Sequence, residues 1–111
     1  MISLTDHLAN LLRSKSIGLA TVIAIADALA ANARYNLWFY DTVKPQDESI
    51  VMAKLDENER LTDACIAAIE KFNLATTGKY DKDSSPKNLQ DLEAALQTFA
   101  KDITKAMVVA P

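Results

Sequence analysis

The chain has 111 residues, half of them apolar and 24% charged, with a formal net charge of −3. Two glycines and three prolines are too few for the many tight turns of a β-rich fold, while abundant alanine favours helix. The acidic balance argues against a nucleic-acid binder, whose affinity rests on clustered Lys and Arg.

These bounds predict an all-α protein, an antiparallel bundle of three to four helices in a single domain spanning residues 1–111. Ser3-Leu4-Thr5-Asp6 reads as a helix start, with Ser3 as cap and Asp6 three residues on. Leu4, Leu8 and Leu11 then share one face. Arg13 and Lys15 suit a helix C-terminus, and Gly18 follows. The expectation is a break here, with a second helix capped by Ser16, rather than one continuous helix weakened at Gly18.

Residues 17–40 are the most apolar stretch. One seam is Ile17, Thr21, Ala24, Ala28, Ala31, Tyr35, Trp38, and a neighbouring seam is Leu19, Val22, Ala26, Leu29, Ala33, Leu37, Tyr40. Two seams leave the helix apolar over much of its circumference, as for a central helix or one at an oligomer interface. Asp41 to Pro45 forms the next boundary, with Pro45 welcome at a first helical position. The third helix is expected to run to about Thr77 on a seam of Val51, Leu55, Asn58, Thr62, Cys65, Ile69, Phe72. The polar run Asp56 to Arg60 makes its first half the more exposed.

Gly78 marks a stop, Lys79 to Ser85 a polar loop, and Ser85-Pro86 a cap and first helical residue. The last helix has the clearest pattern. Leu89, Leu92, Leu96, Phe99, Ile103 and Met107 point inward, and Gln90, Asp91, Glu93, Gln97, Lys101 and Lys105 outward, with fraying near Val108. No segment reads as a signal peptide or a membrane span.

Each candidate for chemistry has a bland competitor that outweighs it. His7, the single histidine, reads as an exposed first-turn residue. Cys65, the single cysteine, lies mid-helix in apolar company and reads as an inert core thiol. Its solitude points to a reducing compartment and a cytoplasmic protein. Asp81 to Ser85 opens like a calcium loop but meets Pro86 and Leu92 where Gly and Glu are needed. Asp56, Glu59 and Asp63 share a helix face, as in all-α hydrolases that hold Mg²⁺, yet Asp91 and Glu93 diverge and supply no opposing acidic face. Lys54 and Arg60 lie close enough to neutralise that run.

Tyr35, Trp38, Phe39 and Tyr40 place four of the seven aromatics at one helix end, beside Arg34. Large rings plug bundle ends, and aromatics with Arg are typical of interface hot spots. Trp38, Phe39 and Tyr40 are consecutive, so at least one must face outward. Asn32, Arg34 and Asn36 fit an outer face.

The function expected is a non-enzymatic protein–protein interaction module: a small inhibitor, immunity or adaptor-type protein, or a self-assembling subunit. Trp38, Phe39 and Tyr40 would serve as apolar anchors, with Arg34 and Tyr35 beside them and Asp56, Glu57 and Glu59 as a charged surface. The expected partner is a protein or a second copy, most simply in a homodimer, with no nucleic acid, membrane, metal or cofactor. The alternative is an all-α metal-dependent hydrolase using helix-borne carboxylates.

Overall fold

Four α-helices carry most of the chain: α1 Leu4–Ser14, α2 Leu19–Trp38, α3 Glu48–Thr76 and α4 Pro86–Lys105. A π-helical turn, Phe39–Val43, extends α2. The structure is a computed structural model that describes residues 2–14, 17–76 and 86–109. No strand occurs among them, and the chain is an all-α helical bundle, as its composition predicts.

The helix starts follow local chemistry. The Asp6 amide donates to Ser3 Oγ at 3.1 Å, and the His7 amide donates to the Ser3 carbonyl. The hydroxyl satisfies one amide that a helix start otherwise leaves orphaned, and the carbonyl accepts the first intrahelical bond. The expected break between α1 and α2 is present, but its cap differs. Gly18 occupies the N-cap of α2, in extended backbone and with no side-chain cap, and Ser16 lies outside the described residues. Pro45 also differs from expectation. It lies in the turn before α3, and the helix begins at Glu48, with the Asp47 carbonyl accepting from the Ile50 and Val51 amides. Pro86 does open α4. Gly78, the loop from Lys79 and the Ser85 cap lie outside the described residues.

Helix directions follow from a few contacts. Thr21, early in α2, donates to Glu93 in the first half of α4 at 2.6 Å. Lys54 lies 5.9 Å from the Trp38 ring at the end of α2 and donates to the Ala106 carbonyl just past α4. So α2 and α4 run parallel. The same Lys54–Ala106 bond joins the start of α3 to the end of α4, so those two are antiparallel. Consecutive helices reverse direction, yet α4 lies between α2 and α3, whose backbones stay apart and which touch at the bundle end through Tyr35 and Trp38 against Lys54. The π-helical turn carries the chain across the bundle end and buries Val43 completely.

One core fills the space between the helices. It takes Leu4, Leu8 and Leu11 from α1, and Ala24, Ile25, Ala28, Ala31 and Tyr35 from α2. Cys65, Ile69 and Phe72 come from α3, and Leu92, Leu96, Phe99 and Ile103 from α4. The first apolar seam of α2 is thus its buried face, and the α3 seam is buried only in its second half, with Leu55 43% exposed. No helix is long and apolar enough to cross a membrane among the described residues.

Candidate functional site

Most of the second apolar seam of α2 stays on the surface. Leu19 is 75% exposed, Ile23 52%, Leu37 65% and Tyr40 64%. Ala26, Ala30 and Ala33 between them are exposed as well, whereas Val22 and Leu29 are half-buried at the edge of the core. The exposed apolar line is therefore Leu19, Ile23, Ala26, Ala30, Ala33, Leu37, Tyr40. It departs from the seam expected at Ile23 and Ala30, which replace Val22 and Leu29. Its steps alternate four and three, which keeps it on one side of a helix. The buried residues Thr21, Ala28 and Tyr35 lie on the opposite side. Fully burying a Leu or Ile side chain contributes about 1.5–3 kcal/mol. A face that leaves three of them in water holds stabilisation that only a partner can realise.

The aromatic cluster divides by position. Tyr35 is buried, its hydroxyl donates to the Lys54 carbonyl at 3.2 Å, and its ring offers no area to a partner. Trp38 and Phe39 are half-buried and pack against it, with ring centroids 5.5 and 6.2 Å away. These three form the plug. Tyr40 is the outward ring that three consecutive positions require, and Lys44 Nζ sits 4.3 Å from its centroid. Arg34 is exposed on α2.

Beneath the plug, Lys54 ties three elements together. Its ammonium donates to Glu57 at 3.1 Å and to the Ala106 carbonyl at 2.9 Å, beside the Trp38 ring. Ala106 follows the last turn of α4, where orphaned carbonyls favour a cation. Nothing local in the sequence reveals that α4 ends there, so the residues around Lys54 place it only beside the acidic run.

Glu57 is thus engaged, while Asp56, Glu59 and Asp63 are exposed. No group of three or more His, Cys, Asp or Glu side chains is placed to hold a metal ion among the described residues. Asp91 is exposed, and Glu93 points instead into its bond with buried Thr21. His7 is half-buried rather than exposed, over a groove lined by Asp63, Ile66 and Glu70 of α3. Cys65 is a buried free thiol whose pKa burial pushes up to about 12, so it is protonated and inert at neutral pH.

Fold and surface together define an all-α four-helix bundle with one apolar helix face turned to solvent. Comparison with protein-family models, with curated proteins and with solved structures finds no match.

Proposed function

We propose that this chain is a non-enzymatic protein–protein interaction module, of the inhibitor, immunity or adaptor type or a self-assembling subunit, and that it acts through the outward face of α2. The observation that carries this reading is the continuous exposed line from Leu19 to Tyr40 on a helix whose opposite side already fills the core. A large exposed apolar patch on a folded domain marks an interaction site. Leu19, Ile23, Leu37 and Tyr40 take the role of anchors, flanked by Arg34. Trp38 and Phe39 support them from within, and Tyr35 holds the plug. Asp56 and Glu59 supply a charged surface that speeds encounter with a basic partner. The partner is a protein or a second copy rather than nucleic acid or a membrane, given the net charge of −3. A lone buried thiol fits a reducing, cytoplasmic setting.

The test is affinity capture from host lysate, with light scattering on the eluate, for the wild type and for Leu37→Glu. Leu37 is 65% exposed, so the variant keeps the fold. The wild type elutes in an assembly heavier than the monomer, and Leu37→Glu elutes as the monomer. An assembly unchanged by Leu37→Glu would remove the α2 face from the account. Trp38→Ala is the wrong probe, because it opens a cavity under the plug and costs about 3 kcal/mol of stability.

A further inference from the structure

We infer that the occupant of the α2 face is a second copy of this chain, docked antiparallel about a two-fold axis in one specific register. The inference rests on the reading of this face as the contact surface and names what covers it.

The size pattern along the line is self-complementary. It runs Leu19, Ile23, Ala26, Ala30, Ala33, Leu37, Tyr40, bulky at both ends and small in the middle. A two-fold contact applies one patch to itself, so the patch must complement its own reverse. In an antiparallel pair, facing layers join one position type of the heptad to the other. Two such registers fit the line. In the first, Ala30 faces Ala33 of the second copy, Ala26 faces its Leu37, and Ile23 faces its Tyr40. The small residues then bring the helix axes close, and Leu37 fills the space over Ala26. In the second, Ala26 faces Ala30 and Leu19 faces Leu37.

Charge decides between them. Asp27 and Arg34 are both exposed and flank the line on the same side, and neither has a partner among the described residues. In the first register Asp27 of each copy lies opposite Arg34 of the other, giving two equivalent ion pairs. In the second register Asp27 meets its own copy, which is repulsive. A parallel pair leaves both charges beside uncharged residues. The first register alone satisfies both size and charge, and it does so from Ile23 to Tyr40, about 25 Å of helix at 1.5 Å per residue.

The experiment is sedimentation equilibrium on the purified full-length chain, with three charge variants. The wild type is a dimer whose dissociation constant rises with salt. Arg34→Asp and Asp27→Arg each set like charges opposite one another twice per dimer, and each weakens it on the order of tenfold. The combined Asp27→Arg/Arg34→Asp variant exchanges the charges and restores wild-type affinity. Both positions are exposed, so far-UV circular dichroism is unchanged throughout, and the melting transition moves only as far as the weaker dimer requires. A dimer that neither reversal weakens overturns the register. A wild type that stays monomeric at every concentration overturns self-association. In that event, loss of a foreign partner on Leu37→Glu preserves the interaction reading, and no loss ends both.

Discussion

At the scale of single residues, burial sets the chemistry. The Cys65 thiol is shifted from its ordinary 9.0 to about 12 by desolvation. The Tyr35 phenol is raised too, by burial first and then by the charge of Glu57. In both cases the folded chain holds its proton more tightly than the unfolded chain. The resulting stability is fully present below about pH 9 and is lost as pH rises toward about 12. Urea melts should therefore show stability falling as the buffer is made alkaline beyond about pH 9, with a shallower fall for Cys65→Ala. An equal slope in the two proteins would assign the loss elsewhere. Alkylation of Cys65 near neutral pH should follow opening of the bundle, rising with denaturant rather than with reagent reactivity. Lys54→Met tests the other buried polar contact. It leaves the Ala106 carbonyl and the Glu57 carboxylate without their donor and should cost about 1.5–3 kcal/mol in chemical denaturation.

At the scale of elements, most of the molecule is legible in its sequence. The α4 pattern of Leu92, Leu96, Phe99 and Ile103 is strongly periodic, and those residues are all buried. The Ser3 start and the break before α2 are local capping and glycine signals, and both are present. Finer boundaries were less legible where two local rules compete. Pro45 suits a first helical turn and also a preceding turn, and Asp47 wins the cap position instead. The end of α2 was hidden because the π-helical turn keeps helical backbone past Trp38 in order to bury Val43, which is a tertiary gain. Gly18 offers a direct probe of the α2 start. It caps the helix without a side-chain bond, its φ is −76°, and no atom lies within 4 Å of a Cβ added there. Gly18→Asp should supply the missing acceptor, favour the helix dipole and reduce unfolded-chain entropy. The expected gain is about 1 kcal/mol, a rise in melting temperature of several degrees. No change, or a loss, would show that the α2 start already finds its hydrogen bonds elsewhere.

At the scale of the whole molecule, the bundle is legible in the residues but its neighbour relations are not. The apolar seams of α2 are both written in its residues, yet only packing decides which one turns inward. The parallel pairing of α2 with α4 depends on distant contacts, Thr21 to Glu93 and Lys54 to Ala106, that no local pattern encodes. That pairing uses one side of α2 and leaves Leu19, Ile23, Leu37 and Tyr40 outside. On the proposed function, these side chains are covered in the working protein. Hydroxyl-radical footprinting of the assembled protein tests it most directly, with each residue's oxidation rate divided by its rate in the unfolded chain. Val108, 61% exposed, serves as reference for Leu37 at 65% and Tyr40 at 64%. Covered by a partner, Leu37 and Tyr40 are strongly protected relative to Val108. Equal relative rates at all three would show that the α2 face stays in water, and would contradict it.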